Sequence, residues 1–355
     1  MASSRHKALW ICLTVVCAGL TLAAHGATPE PVLISPLAAP RLATRTSHLS
    51  CERSPPPVST LTSVHYYTDA RNSVADEAKR AEDERLQQPV TSFIRYVTEE
   101  SDAYMRTGET GHAACAAQWL DDWAQARALA ETANAGGDFR RSWYLSGLAI
   151  SWLKIRDTVA AEPRSRIDAW LSGQAQLIVA FYAQPDNVNN ALNNHGDWAA
   201  LAVAAAAAAS NDRDLFAWAE QRFRTNLAQI TPEGALPLEI ARGQRALHYH
   251  LFALTPLVLM ARFERANGRD DFDQAALTRL ESFARTSLDD PRRITELAGA
   301  AQEKPTAKND PSEWVWAALS QQPPSPVLKA VLQYRRPLID PRCGGDVVLD
   351  WGYGD

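Results

Sequence analysis

Residues 143–177, WYLSGLAISWLKIRDTVAAEPRSRIDAWLSGQAQL, contain the hydrophobic pattern that decides the fold. Apolar or small residues recur there mostly at steps of three and four, namely Trp143, Gly147, Ile150 and Leu153, then Ile167, Trp170, Leu171 and Leu177. This spacing is the period of an amphipathic helix. The stretch therefore predicts two helices that each bury one face and are joined by a short break.

The same pattern continues in both directions from about Pro89 onward. Similar stripes are Phe93, Tyr96 and Val97, and Trp119, Leu120, Trp123 and Ala126. Turn-forming residues separate the stripes, at Gly136-Gly137, Pro185-Asp186-Asn187, Ser210-Asn211-Asp212 and Asn267-Gly268. Asn211 or Asp212 is expected to cap a helix that begins near Arg213. Strand-like alternation is scarce, so about ten helical segments predict an all-α protein of antiparallel helix pairs.

The alanine run 204–209 predicts one further helix, buried against its neighbours. Alanine is the strongest helix former, and its small side chain lets adjacent backbones approach. The run begins shortly after the polar sequence NNHGDW at 193–198. A core helix is therefore expected to start at a cluster of polar side chains.

The chain begins with a segment that is typical of a cleaved export signal. Arg5 and Lys7 precede an apolar stretch at 8–24, and small residues follow at 24–27. The apolar stretch is also just long enough for a membrane anchor. The small-residue ending and the prolines after it favour cleavage, so we assign residues 1–26 to a signal peptide and expect no stable membrane anchor.

Charge and cysteine content narrow the possible partners. Without residues 1–26 the chain keeps 34 basic against 41 acidic residues, a net charge of −7. It has no basic tail or stripe, and we expect no nucleic-acid partner. Cys51, Cys115 and Cys343 remain, and export allows two of them to pair. Their spacing lacks a CxxC form, which argues against a zinc site.

The prolines divide the chain near its ends and leave the middle without a linker. We expect an extended, proline-rich segment at 27–60, one helical domain at 61–340 and a tail at 341–355. The length suits one large domain or two small ones, and the lack of a linker in the middle favours one.

A second polar segment, EIARGQRALHYH at 239–250, places cations beside a tyrosine. Tyr249 lies seven positions after Arg242 and four after Arg245, so all three share a face if the segment is helical. Guanidinium groups favour the ionised phenol, and the pKa of Tyr249 is predicted to fall below its usual ~10. The alternative is a buried tyrosine with arginines in solvent, and Gly243 allows the segment to start as a turn.

The first polar segment supplies groups that stabilise a carboxylate-derived enolate. An asparagine amide, a neutral histidine and an arginine can neutralise a sugar carboxylate while the adjacent proton is removed. The plain alternatives are a helix cap for Asn193-Asn194 and a structural role for His195.

Together the two segments resemble the bacterial periplasmic alginate lyases of polysaccharide lyase family 5. The matching patterns are Asn193-Asn194-His195-x-x-Trp198 and Arg242-Gly243-Gln244-Arg245-Ala246-Leu247-His248-Tyr249-His250. Further landmarks occur in the same order at 115–119, 141–143, 214–218 and 234–237. The resemblance covers roughly residues 51–268 and weakens beyond them.

The resemblance implies an incomplete (α/α) toroid with a deep substrate groove, and β-elimination on an acidic uronate polymer. Polymannuronate, or alginate, is the first expected substrate; glucuronan, hyaluronan or mixed polyuronates are alternatives. By this resemblance Asn194 and Arg242 neutralise the uronate carboxylate with help from His195. Tyr249 removes the C5 proton and then protonates the leaving O4. For guluronate, the epimer, His195 is the better-placed base.

The resemblance also implies the surroundings of the site. Substrate contacts are expected from Arg141, Trp143, Asn193, Trp198, Arg245 and His248, the last of which replaces a small residue of typical members. A loop lysine of the alginate-specific members has no counterpart, and Tyr67 or Arg71 is expected to fill its role. Cys51 and Cys115 are expected to form a disulfide. No metal or cofactor, a periplasmic location and a monomer are expected.

Two other classes of protein remain as alternatives. A glycoside hydrolase on a similar helical scaffold needs two carboxylates that flank the cleaved bond, and Glu239, Asp197 and Asp76 are available. A non-catalytic polysaccharide-binding protein needs only a groove. Neither alternative explains why the residues of both polar segments occur together.

Overall fold

The structure is a computed structural model that describes residues 32–320 and 322–352, and most of that part is α-helical. The described residues from Leu33 onward group into one compact unit. The predicted signal peptide, 1–26, lies outside the described residues. The α-helices are α1 (Glu77–Thr107), α2 (Thr110–Gln125), α3 (Ala135–Ile155), α4 (Ala161–Tyr182), α5 (Asn194–Ser210), α6 (Arg213–Leu227), α7 (Pro237–Ile240), α8 (Ala246–Ala266), α9 (Gln274–Asp289), α10 (Arg292–Ala298), α11 (Val315–Leu319), α12 (Pro326–Tyr334) and α13 (Val347–Trp351).

Strands are very short in the described part of the chain. β1 (Thr60–Leu61) pairs in parallel with β2 (Glu131–Thr132), and β3 (Ile339–Asp340) pairs antiparallel with β4 (Gly345–Asp346). Short 3₁₀ helices occur at Arg156–Thr158, Pro185–Asn187, Asn190–Leu192, Gly243–Arg245, Pro311–Glu313 and Pro341–Cys343. The prediction of an all-α protein is confirmed.

Consecutive helices pack as pairs, and local capping residues set their ends. α1 contacts α2, α3 contacts α4, and α5 contacts α6. Gly108, with φ 70°, ends α1, and Asn211, with φ 55°, ends α5. Asp212 then caps α6 as predicted, because its side chain accepts a hydrogen bond from the backbone N–H of Leu215. Such caps satisfy backbone donors that the first helical turn leaves unpaired.

The first helix begins earlier than the hydrophobic pattern indicated. We expected the helical region to begin at about Pro89, whereas α1 starts at Glu77 and contains Pro89. Asp76 caps it by accepting hydrogen bonds from the N–H groups of Ala78 and Lys79. Proline removes a single helical hydrogen bond, and tertiary packing of α1 offsets that loss.

The alanine-rich helix α5 forms the centre of the helical body. It packs against α3, α4, α6 and α8, and the run 204–209 is buried as predicted. A Cβ at Gly196 would lie 1.9 Å from the carbonyl oxygen of Ala191, so the start of α5 needs this glycine. The N-terminus of a fully surrounded helix thereby brings Asn194 and His195 into the interior of the protein.

Helix α8 is the second core element that positions polar residues. The stretch Gly243–Ala266 is long and apolar enough to cross a membrane by length and composition alone. Its residues are mostly buried inside the protein, which is the behaviour of a core helix.

The extended N-terminal segment lies against α1 and α2. Its described residues, 32–59, contain no helix and one isolated bridge, between Arg45 and Glu109. The predicted disulfide between Cys51 and Cys115 is present. The indole N–H of Trp119 also donates to the backbone oxygen of Glu52 at 2.8 Å.

The segment after residue 340 is part of the core, and its prediction as a tail was wrong. Val347, Leu349 and Trp351 of α13 are buried, and so is Cys343, which forms no disulfide with another described cysteine. The ammonium group of Lys154 joins this segment to the body, because it lies 2.5 Å from carboxylate oxygens of both Asp102 and Asp350 and 2.6 Å from the backbone oxygen of Gly344.

A pair of glycine substitutions tests how closely this C-terminal segment is seated. A Cβ at Gly147 in α3 would lie 2.0 Å from the carbonyl oxygen of Pro341, whereas one at Gly173 in α4 would meet nothing within 4 Å. We expect Gly147→Ala to lower the free energy of unfolding by about 1–3 kcal/mol through overpacking. The matched Gly173→Ala should raise it by about 0.5–1 kcal/mol through helix propensity. Urea titrations of both variants measure the free energy of unfolding. Equal changes in the two variants would contradict the close packing of Pro341 against Gly147.

Candidate active site

The start of α5 holds the first polar segment. The side-chain oxygen of Asn193 accepts a hydrogen bond from the backbone N–H of His195, so Asn193 caps the helix. Asn194 is fully buried, and both its backbone N–H and its side-chain amide donate to Oε1 of Glu239, at 2.8 and 3.0 Å. The capping alternative therefore holds for Asn193, while Asn194 bonds to the second segment.

The His195 ring lies between aromatic neighbours and is neutral. It stacks on Phe139 at 4.0 Å and faces Trp143 at 5.8 Å between ring centroids. Burial, reinforced by the positive charges of Arg242 and Arg140, lowers the pKa of His195 to about 3. An uncharged imidazole, as predicted, is therefore the form present at neutral pH.

Two buried polar atoms of this segment are left without a protein partner. Neither Oδ1 of Asn194 nor Nδ1 of His195 has a hydrogen-bond partner among the described residues. Buried polar atoms are normally paired, and an unpaired one calls for a ligand or a functional reason. Both atoms are thus available to a polar substrate group.

The second polar segment is bent rather than wholly helical. Gly243, with φ 60°, opens the 3₁₀ turn Gly243–Arg245, and α8 begins only at Ala246. Arg242 nevertheless lies over Tyr249, with 4.7 Å between the guanidinium carbon and the ring centroid. Its Nε is 3.7 Å from Oε2 of Glu239. Glu239, the first residue of the second segment, therefore contacts Asn194 of the first segment and Arg242 of its own segment.

Tyr249 belongs to a hydrogen-bonded network with Tyr67 and Arg245. The two phenol oxygens are 2.9 Å apart, and Nη1 of Arg245 donates to the Tyr67 oxygen at 2.6 Å. The Arg245 guanidinium also lies 5.3 Å from the centroid of the Tyr249 ring. A guanidinium has only donors, so the Tyr67 hydroxyl remains able to donate its own proton to Tyr249.

The prediction that the pKa of Tyr249 falls below its usual value was wrong for the unliganded protein. Burial raises the pKa of Tyr249, and the opposing effects of Arg245, the Tyr67 hydrogen bond and Arg242 do not offset it. Burial likewise raises the pKa of Tyr67 to about 12. The sequence showed the nearby cations but not the loss of water around the phenol.

The loop at 66–76 holds Tyr67 over Tyr249. The Asp69 carboxylate accepts hydrogen bonds from the backbone N–H groups of Arg71, Ser73 and Val74, which shapes the loop. Gln244 donates to the Ser73 backbone oxygen at 3.2 Å. The exposed Arg71 lies above Gly243, where a Cβ would be 3.1 Å from its guanidinium. Tyr67 and Arg71, both predicted for this loop, therefore lie at the site, and Tyr67 makes the closer contact to Tyr249.

His248 lies between Arg245 and a carboxylate from a distant part of the chain. Its Nε2 is 2.7 Å from Nη2 of Arg245, and its Nδ1 is 3.0 Å from Oε1 of the buried Glu313. Sequence reasoning missed Glu313, which precedes a tryptophan-rich stretch without any motif around it.

A second missed residue is Arg342, which the C-terminal segment contributes. Its guanidinium lies 5.6 Å from the Trp143 ring centroid and 5.7 Å from that of Phe252. Asp310 and Ser312 hold it at 2.7 and 2.9 Å. No local signal could have identified Arg342, because its segment resembled a tail.

Two predicted substrate contacts do not reach the site. Arg141 is 2% exposed, and its Nη1 donates to the Leu129 backbone oxygen and to Gln174. Trp198 is fully buried in the core. Both side chains point into the protein, so the structure gives no support to either as a substrate contact, and both stay predictions. Trp143, which is partly buried, does lie beside His195.

The three carboxylates that the sequence offered for a hydrolase all contact other groups of the protein. Glu239 is buried against Asn194 and Arg242, Asp197 accepts a hydrogen bond from Asn226 at 2.6 Å, and Asp76 caps α1. Burial raises the pKa of Glu239 and that of Asp197. An open pair of carboxylates, as the two-carboxylate mechanism requires, is not formed by these three residues.

Comparison with known proteins agrees with this site. The family model described as alginate lyase matches residues 60–294. A polysaccharide lyase of Stenotrophomonas maltophilia is 34% identical over 314 residues, which cover 87% of this chain and 92% of that protein. An alginate lyase of Azotobacter vinelandii is 34% identical over 290 residues, which cover 78% of this chain and 76% of that protein.

Solved structures share the fold. Alginate lyase A1-III from Sphingomonas species A1 superimposes with a TM-score of 0.69 at 20% identity, covering 86% of both chains. A variant of alginate lyase A1-III complexed with a tetrasaccharide superimposes with a TM-score of 0.73, again at 20% identity and 86% coverage of both chains. These neighbours confirm the predicted (α/α) toroid fold. By the family model and the identity to its relatives, the chain belongs to the alginate lyase family and is a polysaccharide lyase.

Proposed function

We propose that this lyase cleaves polymannuronate by β-elimination, with Tyr249 as both base and acid. The observation that carries the proposal is the position of the Tyr249 hydroxyl. It is hydrogen-bonded to Tyr67, and the guanidinium groups of Arg242 and Arg245 lie over the Tyr249 ring. A phenol among hydrogen-bond donors and cations is a group whose ionised form can be held ready for proton removal.

The first step is neutralisation of the uronate carboxylate. The proton at C5 becomes acidic only when the carboxylate next to it is neutralised and can take up charge as an enolate. Arg242 supplies a positive charge. The Asn194 side-chain amide has a second N–H that can donate to the carboxylate, because its bond to Glu239 uses only one, and the uncharged His195 adds a polar group without negative charge. Glu239 orients the Asn194 amide by accepting its N–H, and it also lies beside Arg242.

Tyr249 then carries out both proton transfers. The Tyr249 phenolate takes the C5 proton, and the C5–H electron pair forms the double bond between C4 and C5. The C4–O4 bond breaks, and O4 leaves with the proton that Tyr249 has just received. The phenolate is regenerated, and one product chain carries an unsaturated sugar at its new end.

The stereochemistry favours mannuronate. In this sugar the C5 proton and O4 lie on the same side of the ring, so one tyrosine serves both steps. In guluronate they lie on opposite sides and a second base is needed, for which His195 is the available group. Glucuronan and other polyuronates present the same carboxylate and stay as alternative substrates.

The proposal is tested by absorbance of the unsaturated product. Purified protein is incubated separately with polymannuronate, polyguluronate, glucuronan and hyaluronan, and ultraviolet absorbance is followed. We expect the fastest rise with polymannuronate. Chain shortening without a rise in absorbance would indicate hydrolysis instead, and binding without any turnover would indicate a polysaccharide-binding protein.

The predicted signal peptide supports a periplasmic location, where the enzyme would meet exported polymer. Cell fractionation with an antibody to the helical domain tests the location. Recovery of the protein with its first 26 residues intact in the cytoplasm would contradict it.

The Tyr67 hydroxyl should set the pH dependence of the reaction. Its proton is donated toward Tyr249 and favours the phenolate, so Tyr67→Phe should raise the pKa of Tyr249 further. Activity requires the phenolate and therefore rises with pH. In a plot of kcat/KM against pH, the rising limb should start in the alkaline range for the wild type. In the variant it should lie about one pH unit higher.

The pH profile separates this role from simple substrate contact. If Tyr67 acts through Tyr249, the activity that Tyr67→Phe loses at neutral pH returns at higher pH. A loss that is the same at every pH would mean that Tyr67 acts only on the substrate. Tyr334→Phe, which removes a hydroxyl from an exposed residue, is the control and should leave the limb in place.

A further inference from the structure

A chain of polar contacts connects the buried Glu313 to the base. Glu313 is 1% exposed and ends the 3₁₀ turn Pro311–Glu313. Its Oε2 accepts from the Asn309 amide at 3.2 Å, and its Oε1 faces Nδ1 of His248 at 3.0 Å. From His248 the contacts continue to Arg245, at 2.7 Å, and from there through Tyr67 to Tyr249.

The donor in each of these contacts follows from which side-chain atoms can carry a proton. A guanidinium has five N–H donors and no acceptor, so Nε2 of His248 must accept from Arg245. A carboxylate oxygen is an acceptor, so we infer that Nδ1 of His248 carries the proton and directs it to Oε1 of Glu313, 3.0 Å away. The carboxylate therefore selects one tautomer of the imidazole.

The opposite tautomer would break the chain. A proton on Nε2 would face an N–H of Arg245 across 2.7 Å, and two donors repel each other at that distance. Arg245 would have to turn away from His248. Its Nη1 would then leave the Tyr67 oxygen, and the donation from Tyr67 to Tyr249 would lose its support.

We propose that Glu313 is a positioning residue for the elimination: it fixes the Nδ1–H tautomer of His248 and so aims Arg245 at Tyr67. The inference rests on the proposed role of Tyr249 as the base. Glu313 itself does not touch Tyr249 or the substrate.

The turn that carries Glu313 also fixes a second cation. Asp310 and Ser312, in the same turn, hold Arg342 beside Trp143. The turn lies beyond residues 60–294, the part that the family model matches. One short element from the last part of the chain thus orients Arg245 and Arg342 on two sides of the site.

The groups around Tyr249 are few enough for a pH profile to be interpreted. Arg242, Arg245, Tyr67 and Tyr66 influence the pKa of Tyr249, and the His248 ring lies 4.9 Å from its ring. In this set, Glu313 acts only through His248 and Arg245. Loss of the correct tautomer should therefore weaken stabilisation of the phenolate and raise the pH at which activity appears.

The tautomer can be measured without any activity. Protein labelled with ¹⁵N-histidine is compared with its His248→Gln variant to assign the two ring nitrogens of His248. We expect a protonated Nδ1 in the wild type and a shift toward protonated Nε2 in Glu313→Gln, whose amide can turn its NH₂ toward the ring. A wild-type ring protonated at Nε2 would overturn the proposal, even if the protein proved inactive on every polyuronate.

Kinetics then test whether the tautomer matters for the elimination. Glu313→Gln should lower kcat about 10–100-fold, a typical effect of a supporting partner, with KM changed less than about threefold. The rising pH limb should move up by about one unit. A shift of the tautomer with unchanged kcat and pH limb would overturn the positioning role while leaving the proposed function intact.

Two further variants separate positioning from folding. In the His248→Gln background, adding Glu313→Gln should change kcat by less than about twofold, because a residue that acts through another has no separate effect once the other is gone. An undiminished loss in that background would contradict the relay. Glu303→Gln is the matched control: it removes a half-exposed carboxylate 3.6 Å from the same arginine and should leave the tautomer and the pH limb unchanged.

Discussion

Replacing Tyr249 with phenylalanine is expected to lower kcat/KM on polymannuronate by about 10³–10⁴-fold. The substitution removes the single oxygen that we propose to accept the C5 proton and to return it to O4. The ring stays, so its contacts with Arg242 and Arg245 stay too. Initial rates from the absorbance of the unsaturated product measure the loss.

Substrate binding and a control variant complete this test. Because the phenol oxygen acts on the reacting atoms, the affinity of Tyr249→Phe for an oligomannuronate should change far less than kcat. Tyr334→Phe should keep full activity, since Tyr334 is 65% exposed. Turnover of Tyr249→Phe at the wild-type rate would show that Tyr249 is neither base nor acid.

Replacing Arg242 with glutamine is expected to lower kcat/KM by about 10²–10³-fold. Arg242 supplies the positive charge that neutralises the uronate carboxylate while the enolate forms. Arg242→Lys should lose less, because the charge remains and only the planar fork of donors is lost. Arg292→Gln removes an exposed arginine and should have no effect on rate.

A change of substrate separates the role of Arg242 in catalysis from its contact with Glu239. In a methyl-esterified polymannuronate the carboxylate carries no charge, so neutralisation by Arg242 is no longer needed. The rate ratio between wild type and Arg242→Gln should therefore be much smaller on the ester. An equal loss on both polymers would mean that Arg242 acts by holding the buried Glu239 rather than by neutralising substrate. Thermal unfolding of the variant reports that structural contribution directly.

The two polar segments were recognisable because each interrupts a helix with residues that a core does not use. Asn194, Arg242 and Tyr249 therefore stood out before any coordinates. In the structure Glu239 joins Asn194 to Arg242, and Arg242 lies over Tyr249. The resemblance was a weaker guide to single side chains. It implied substrate contacts at Arg141 and Trp198, but both are buried in the core.

The electrostatic prediction for Tyr249 failed for a related reason. The arginines at four and seven positions before it are visible in the sequence and lower its pKa. The burial that raises it depends on the loop at 66–76 and on neighbours from other helices, and it has the larger effect. A pKa predicted from the charges of residues nearby in the sequence leaves out the loss of water around a buried group.

The sequence by itself determined the helical architecture, the capped start of α5 and the identity of the main reactive groups, because these depend on local spacing and side-chain chemistry. Only the tertiary structure decided which distant groups complete the site. Glu313 and Arg342 lie more than sixty residues after the last motif residue, His250, in segments without a motif. The turn Pro311–Glu313 packs against α8 and brings in Glu313, and the turn Pro341–Cys343 packs against α3 and brings in Arg342. Such long-range packing leaves no mark in the local sequence.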